Sequence, residues 1–529
     1  MTSNIPSISL GRRAELLLER FGDWPTLFFE GRWYTSGELA QRARAAARGF
    51  VDLGVEPGDR VVIVMANCPE VGIAYSALWR AGAVPTPVLF LLTEDELRHV
   101  VEDSGAVAVV TTPEFLPKVQ ASAPTLPVVV VGGEGGIPWA DLESHGELPL
   151  VERAGTDLAA LLYTGGTTGR SKGVALTHAG LDAAGKAAAD LSASPGRTST
   201  LLPLPLAHAY GLLVTVAGLH AHEPGTSYLM RWFDPAGWVA LVEEHRIQGT
   251  ALVPSMISML LTQPLEDHDL SCMERVGSGA APLAADVAAE FERRIPGAEI
   301  REGYGCTESS ALISSQPADE RKLGSVGKPV PGVTVRIERP DGSDAASGED
   351  GEICVGGATV MQGYWNSPES TAFAVRDGWL HTGDVGHLDA GGWLYIVDRI
   401  KDLIIRGGFN VYPRDVEDVL LAHPAVIGAA VVGRPDPRLG EEVVAFVQLG
   451  APATPEELVA FAKERLGTHK YPREVRVIDA IPLTSVMKTD RKVLRARLAP
   501  NTSLAPNTSL AGNASLAGNA DEAPPRLDG

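Results

Sequence analysis

The sequence predicts an α/β protein: a large N-terminal body of several subdomains with mostly parallel sheets and a small β subdomain, followed by a small α+β lid domain. Three observations carry this prediction. Strand-length apolar runs alternate with amphipathic helical segments in the first part of the chain. From about residue 320 the chain becomes rich in glycine and short alternating strands, and after Arg399 a compact α+β pattern begins.

The N-terminal elements follow one another in βα order. The pattern predicts a helix over 37–56, an apolar strand within GDRVVIVMANCPE, and a helix and a strand within VGIAYSALWRAGAVPTPV. A helix over 93–103 and strands over 106–111 and 126–131 come next. Because strands that are apolar throughout are buried on both faces, a mostly parallel sheet covered by helices is expected.

The chain divides into three predicted parts. Residues 1–400 form the N-terminal body, and residues 401–498 form the lid, with strands over 427–433, 442–448 and 474–478 and a helix over 454–466. Residues 499–529 carry a six-residue repeat, APNTSL or AGNASL, that is polar and has no aromatic residue. Such a segment buries too little apolar area to order itself, so a disordered low-complexity tail is predicted.

The charge and the cysteines exclude several classes of protein. Lys and Arg number 45 against 66 Asp and Glu in 529 residues, a net charge of −21, which disfavours binding to nucleic acid or anionic membranes by bulk charge. The four cysteines form no CxxC pair, so neither a disulfide framework nor a structural zinc site is expected. With no secretory signal and no apolar stretch of about 20 residues, a cytoplasmic protein is predicted.

The segment from Leu162 to Val174, LYTGGTTGRSKGV, is the sharpest chemical feature of the sequence. Glycines allow backbone N–H groups to converge on an anion, and hydroxyls and a lysine add donors and positive charge. The pattern therefore predicts a phosphate cradle, and since Ser171 and Gly173 flank the lysine it is not a Walker A loop. Its candidate ligands are Thr164, Gly165, Gly166, Thr167, Thr168, Gly169 and Lys172.

This segment resembles the phosphate-binding signature of the adenylate-forming superfamily, which contains acyl-CoA synthetases, luciferases and the adenylation domains of peptide synthetases. Four further segments are similar to the other motifs of that family and occur in the same order: 304–308 (YGCTE), 382–384 (TGD), 398–417 and 482–494. Five ordered motifs across most of the chain make a chance resemblance untenable.

The resemblance implies an AMP-forming ligase that joins an acid to a thiol. ATP activates a carboxylic acid as an acyl-adenylate with release of pyrophosphate, and coenzyme A then displaces AMP. By the same resemblance Lys488 contacts the carboxylate and the α-phosphate, Thr307 contacts the α-phosphate, and Glu308 holds Mg²⁺. Asp384 and Arg399 bind the ribose hydroxyls.

Other family positions complete the expected site. Tyr304 lies against the adenine, with Gly279 and Ala280 close by. The family rotates its small domain about a hinge residue, here Lys401, so that the lysine leaves before the thiol arrives. After that rotation Gly407 and Gly408 face the tunnel for the pantetheine arm.

One position departs from the family pattern. The residue before the motif lysine is usually glycine, and here it is Met487. Two interpretations stay open: the loop tolerates methionine, or adenylation is weakened or the acceptor is unusual. Replacing Met487 with glycine and measuring pyrophosphate release separates them.

The acyl substrate is predicted to be a fatty or other hydrophobic carboxylic acid. The segment PLAHAYG (205–211) contains no acid to hold an amino group, which disfavours amino-acid activation. The predicted pocket residues are His208, Tyr210, Met256 and Ser278. Three alternatives stay open: transfer to a carrier protein or to an amine, a luciferase-type oxygenase, and a degenerate non-catalytic binding protein.

Overall fold

The computed structural model describes residues 8–144, 146–164, 170–484 and 489–498. Its helices are α1 (Leu10–Phe21), α2 (Ser36–Asp52), α3 (Pro69–Arg80), α4 (Glu94–Ser104), α5 (Leu116–Ser122), α6 (Trp139–Glu143), α7 (His178–Ser192), α8 (Ala209–Gly218), α9 (Pro235–His245), α10 (Pro254–Leu260), α11 (Ala285–Arg294), α12 (Pro368–Ala374), α13 (Pro413–Leu421), α14 (Pro455–Arg465) and α15 (Arg491–Ala496).

The strands of the described residues fall into five sheets. In chain order they are β1 (Pro25–Phe29), β2 (Arg32–Thr35), β3 (Arg60–Val64), β4 (Val84–Pro87), β5 (Ala108–Thr111), β6 (Val128–Val130), β7 (Ile137–Pro138), β8 (Leu158–Thr164), β9 (Lys172–Thr177), β10 (Ser199–Leu202), β11 (Thr226–Leu229), β12 (Gly249–Leu252), β13 (Arg275–Ser278), β14 (Glu299–Tyr304), β15 (Ser314–Ser315), β16 (Lys328–Pro329), β17 (Val333–Glu338), β18 (Gly351–Gly357), β19 (Gly363–Tyr364), β20 (Val375–Arg376), β21 (Trp379–Leu388), β22 (Leu394–Arg399), β23 (Ile404–Arg406), β24 (Phe409–Val411), β25 (Val426–Asp436), β26 (Gly440–Leu449) and β27 (Glu474–Val477).

Two sheets of the body have parallel centres, as predicted. One has the order β4-β3-β5-β6-β7 and is parallel throughout. The other has nine strands in the order β16-β15-β14-β13-β12-β10-β11-β1-β2, parallel from β14 to β1 and antiparallel at both ends. The valines of β3 are fully buried, which explains why this strand is apolar from Val61 to Val64.

The remaining sheets are mostly antiparallel. Strands β17, β18, β20, β21 and β22 form the small β subdomain predicted from the glycine-rich texture. Strands β8, β9 and β19 form a three-stranded sheet. Strands β23 to β27 form a sheet of their own, and the single helical turn Ile400–Asp402 connects it to β22.

Local signals place most element ends. Helix α4 begins with a capping box between Thr93 and Glu96 and ends at Gly105 in the left-handed conformation (φ 58°). The helix predicted over 37–56 ends earlier, at Asp52, because Gly54 has a φ of 92° and its N–H bonds back to the carbonyl of Val51. The predicted end of that helix was wrong by one turn.

The described helices include none that is long and apolar enough to cross a membrane. The predicted tail, residues 499–529, lies outside the described residues.

Candidate functional site

A cavity of about 840 Å³ lies beside the carboxyl ends of the central parallel strands, the usual ligand position in such sheets. Strand β13 runs into Ser278, Gly279 and Ala280, and strand β14 ends at Tyr304, all of which line the cavity. A Cβ atom on Gly279 would lie 3.1 Å from the carbonyl oxygen of Gly303, so only glycine lets these two strand ends approach this closely.

Tyr304, Asp384 and Arg399 come together as one hydrogen-bonded group. The Tyr304 hydroxyl donates to Oδ2 of Asp384 at 2.7 Å, and Nε of Arg399 lies 2.8 Å from Oδ1 of the same carboxylate. The side chain of Asp384 is only 4% exposed. Direct pairing of Asp384 with Arg399 across β21 and β22 sets this geometry.

Tyr304 and Arg399 both stay protonated beside Asp384. Burial and the neighbouring carboxylate raise the pKa of Tyr304 well above its usual value, so its hydroxyl stays a donor. Asp384 raises the pKa of Arg399. A carboxylate has about four acceptor positions, so Asp384 keeps capacity for further O–H donors beside its two present partners.

Glu308 and Lys172 both contact Tyr364, a residue that sequence analysis did not predict for the site. The hydroxyl of Tyr364 donates to Oε1 of Glu308 at 2.8 Å, and Nζ of Lys172 lies 5.2 Å from the centre of the same ring. Tyr364 reaches this position because β19 pairs with β9, the strand that Lys172 begins. Only a pairing across more than 180 residues brings these groups together, so local sequence carried no signal for it.

The two ends of the predicted phosphate cradle lie on neighbouring antiparallel strands. Thr164 ends β8, Lys172 begins β9, and the two residues pair across the antiparallel strands. The rest of the predicted cradle, residues 165–169, lies outside the described residues. Thr307 lies shortly after the end of β14. It begins a single helical turn and lines the cavity.

Three of the four predicted acyl-pocket residues line the cavity: His208, Tyr210 and Ser278. The Ser278 hydroxyl is buried and has no hydrogen-bond partner among the described residues. Met256 is placed elsewhere. It is 4% exposed within the apolar core around α10, and it is not part of the cavity wall. Sequence reasoning assigned it to the wall because the whole segment VPSMISML is apolar, and apolar composition does not distinguish core from pocket.

Three arginines in the cavity wall were missed: Arg197, Arg275 and Arg301. Arg275 is the first residue of β13 and stands two residues before the glycine of the GSGAAP segment. A single charge at the start of a strand gives no signal of its own that the residue lines a cavity.

The turn at the predicted hinge is tied to the last helix. Asp402 is 7% exposed, and its Oδ1 lies 2.7 Å from the guanidinium of Arg495 on α15. Arg491, at the start of the same helix, pairs with Glu417 at 2.7 Å. Burial lowers the pKa of Lys401 in the same turn, and the nearby charge of Arg399 lowers it further.

Gly407 and Gly408 are the two residues of the tight hairpin turn between β23 and β24. Their φ angles of 59° and 84° match a type I′ turn, which favours glycine at both positions. A Cβ on Gly408 would meet nothing within 4 Å, so in this structure backbone conformation explains that glycine.

Lys488 and Met487 lie outside the described residues. The chain on either side of residues 485–488 is described: Leu483 and Thr489 pair as an isolated antiparallel bridge, and the N–H of Asp490 donates to the carbonyl of Pro482 at 2.8 Å. Asp490 then caps α15.

Comparison with known proteins gives matches over most of the chain. The profile of the AMP-binding enzyme family matches residues 15–365, and the profile of the AMP-binding enzyme C-terminal domain matches residues 415–488. The chain is 36% identical over 475 residues to a feruloyl-CoA synthase of Amycolatopsis sp, covering 88% of this chain and 94% of that protein. It is 34% identical over 521 residues to a long-chain-fatty-acid–CoA ligase of Bacillus subtilis, covering 90% and 92%.

A solved structure agrees with these matches. ATP-bound MatB from Rhodopseudomonas palustris superimposes with a TM-score of 0.85 at 32% identity, covering 92% of this chain and 98% of that one. The predicted fold class, a large α/β body with a smaller C-terminal part, is confirmed by this likeness.

Proposed function

The chain belongs to the AMP-binding enzymes of the adenylate-forming superfamily, and from that premise we propose that it activates a hydrophobic carboxylic acid and passes the acyl group to coenzyme A. That it is an AMP-forming acid–thiol ligase that uses ATP follows from its relatives. The observation that carries the proposal is the Tyr304–Asp384–Arg399 group, whose tyrosine lines the same cavity as the predicted acyl-pocket residues His208, Tyr210 and Ser278.

The first half-reaction joins two anions, so its charge must be compensated. The acid's carboxylate attacks the α-phosphorus of ATP, the bond to the β-phosphate oxygen breaks, and pyrophosphate leaves. Asp384, held by Arg399 and Tyr304, is placed to accept the ribose O–H groups and so to orient the nucleotide. The hairpin from Thr164 to Lys172 is assigned to the β- and γ-phosphates, and Lys488 to the carboxylate and the α-phosphate.

Glu308 is the residue assigned to Mg²⁺. The Tyr364 hydroxyl occupies one acceptor position on Oε1, so the carboxylate retains oxygen donors of the hard type that Mg²⁺ prefers. The chemistry that a bound Mg²⁺ supplies is neutralisation of the phosphate charge. Tyr364 orients the Glu308 carboxylate for that role.

The second half-reaction is assigned to a movement of residues 401–498 about Lys401. The thiolate of coenzyme A attacks the acyl carbon and AMP leaves, which requires space where Lys488 stood. Support for a hinge at this position is the change of sheet: β22 ends in the body's sheet at Arg399, and β23 begins a separate sheet five residues later, at Ile404. The Asp402–Arg495 pair ties the last helix to that turn.

A pyrophosphate-release assay with a panel of fatty, aryl and dicarboxylic acids tests the proposal. We expect release that depends on ATP and on one class of acid, and AMP formation that accelerates when coenzyme A is added. Carrier protein and small amines are run as alternative acceptors. AMP formation that responds to amines or carrier protein but not to coenzyme A would contradict the assigned acceptor. Absence of release with every acid would contradict the proposed function.

A further inference from the structure

Three arginines, Arg197, Arg275 and Arg301, line the cavity together with the predicted acyl-pocket residues Tyr210 and Ser278. Register places two of them on one face of the sheet. Arg275 pairs with Glu299 and Gly277 pairs with Arg301 across β13 and β14, and residues two apart on a strand share a face. The Tyr210 hydroxyl lies over the same face, 3.1 Å from the position that a Cβ on Gly277 would take.

Positive charge exceeds negative charge in this cluster. Arg301 forms an ion pair with Glu299 at 2.8 Å, and Arg197 donates to the backbone carbonyl of Ser192. The guanidinium of Arg275 forms no hydrogen bond or ion pair with any residue that the structure describes, although the backbone N–H of Arg275 donates to the carbonyl of Gln248. Among those residues, Glu299 is the one carboxylate that forms an ion pair with any of the three arginines.

An unpaired guanidinium is costly in this position. Burial lowers the pKa of Arg275 to about 10, Arg197 and Arg301 lower it further, and the nearby carboxylate of Glu299 offsets part of that lowering. The group therefore stays charged at neutral pH, with no carboxylate of the described residues within ion-pair distance. Charged groups removed from water are normally paired or bind a ligand. Since Arg275 lines the cavity, a bound anion can supply its missing partner.

The cavity lining also contains apolar residues, among them Leu202, Val214 and Ala251, together with Gly277. Arg275 lies four residues before Gly279, about 13 Å along an extended strand. A ligand that reaches from the reacting centre to Arg275 therefore needs an apolar chain or ring in its middle.

We propose that the acid this enzyme activates carries a second anionic group, a carboxylate, at the far end of an apolar chain or ring, and that Arg275 binds it beside Arg197 and Arg301. This inference rests on the proposed function and names its substrate class. Tyr210 supplies a further donor at the same end, because its hydroxyl makes no hydrogen bond with the described residues. Burial raises the pKa of Tyr210 to about 12, which keeps that donor protonated.

The test compares acids matched in length. Pyrophosphate release is measured with adipate, suberate and sebacate, with the monocarboxylic and ω-hydroxy acids of the same chain lengths, and with 4-carboxycinnamate against 4-methylcinnamate. We expect the best dicarboxylic acid to exceed its monocarboxylic match in kcat/KM by about 100-fold, the size of one charged contact made in a desolvated site.

The Arg275→Met variant identifies the residue responsible. It keeps an unbranched apolar side chain and removes the charged guanidinium, so we expect kcat/KM for the dicarboxylic acid to fall by about 100-fold while the monocarboxylic acid is used equally well or better. Arg293→Met on the exposed face of α11 is the matched control. A thermal shift on adding ATP, retained in both variants, shows that they fold and bind nucleotide.

The outcomes separate the two proposals. Wild-type preference for the monocarboxylic or the ω-hydroxy acid, unchanged by Arg275→Met, would overturn this inference and leave the acyl-CoA ligase assignment standing. Loss of activity on every acid in Arg275→Met, with ATP binding retained, would also overturn it, since a binding residue for the far end must spare the acid that lacks that end. Wild-type protein that releases pyrophosphate with none of these acids or those of the wider panel would contradict the proposed function itself.

Discussion

The nucleotide side and the acyl side of one cavity are built differently. On the nucleotide side, Asp384 is already bound by Tyr304 and Arg399, and Glu308 by Tyr364. On the acyl side, Arg275 and the hydroxyl of Tyr210 have no partner among the described residues. The two sides share the strands β13 and β14, so the fold alone does not explain this difference.

Under the proposed roles, the difference bears on how the two ligands are recognised. ATP would be positioned by groups that hold each other in place before it binds, so little reorganisation is needed. The acyl side instead leaves polar groups that only a ligand can satisfy, which makes binding depend on whether the acid carries a matching group. The first arrangement favours rate, and the second favours selectivity.

The largest expected effect comes from removing the charge at the centre of the nucleotide side. In Asp384→Asn one acceptor oxygen becomes an NH₂ group and Arg399 loses its counter-charge. We expect kcat/KM for ATP to fall by at least about 100-fold, since charge-assisted hydrogen bonds are the strong ones. Acid-dependent ATP–pyrophosphate exchange measures this.

The matched control is Asp389→Asn, at the turn after β21, where the carboxylate pairs with Lys322 away from the cavity. Equal kcat/KM for ATP in the two variants would show that the satisfied carboxylate is structural only. The contrast between the two sides of the cavity would then lose its functional meaning.

The next largest effect is expected at Glu302, which lies on β14, the strand next to β13. Glu302 is an exception to the contrast between the nucleotide side and the acyl side. Its carboxyl has no hydrogen bond with the described residues, and burial raises its pKa to about 7, with Arg414 and Arg321 offsetting part of that rise. Because the folded-state pKa lies above the unfolded value of about 4.5, the native state binds the proton more tightly. Its contribution to stability is complete below pH 4.5 and is lost as the pH rises through 7.

Thermal and urea unfolding at pH 5 and pH 8 measure this contribution in wild-type protein and in Glu302→Gln. We expect the wild type to lose up to about 3 kcal/mol more than the variant between these pH values. Glu320→Gln, on an exposed carboxylate paired with Lys328, is the control. An identical pH dependence in wild type and Glu302→Gln would refute the prediction.

The smallest expected effect is at Tyr364, which supports Glu308 without reaching the nucleotide itself. Tyr364→Phe removes one hydroxyl donor and leaves the ring beside Lys172. We expect about a tenfold loss of pyrophosphate release at limiting Mg²⁺, and a smaller loss at high Mg²⁺, because Glu308 is less well oriented. Tyr395→Phe, whose hydroxyl contacts Lys322, is the control, and an unchanged Mg²⁺ dependence in Tyr364→Phe would contradict the assigned role.

Sequence reasoning predicted those parts of the site that are encoded in short, local sequence patterns. The βα alternation, the β-rich texture after residue 320 and the ordered motifs led to the fold class and to the family, and both are confirmed. Tyr304, Asp384 and Arg399 were named from three separate motifs, and the structure brings them within hydrogen-bond distance. Several assigned residues, Lys488 and those of 165–169 among them, stay predictions because they lie outside the described residues.

What sequence reasoning missed has a common physical cause. Tyr364 meets Glu308 only because β19 pairs with β9, and Met256 was assigned to the pocket because apolar composition does not report which neighbours cover a side chain. Arg275 was passed over because a single charge in a strand is uninformative until its surroundings are known. Each of these depends on contacts between residues far apart in the chain.

The sequence by itself determined the kinds of chemistry available: glycines and hydroxyls for phosphate, carboxylates for ribose and metal, and a family of ATP-using ligases. Only the tertiary structure decided which charges are neutralised and which are not. Strand register sets Asp384 opposite Arg399, and it sets Arg275 on the face that lines the cavity, where no carboxylate of the described residues forms an ion pair with it. The energy of a charge depends on its distance from other charges and from water, and those distances exist only in the folded chain.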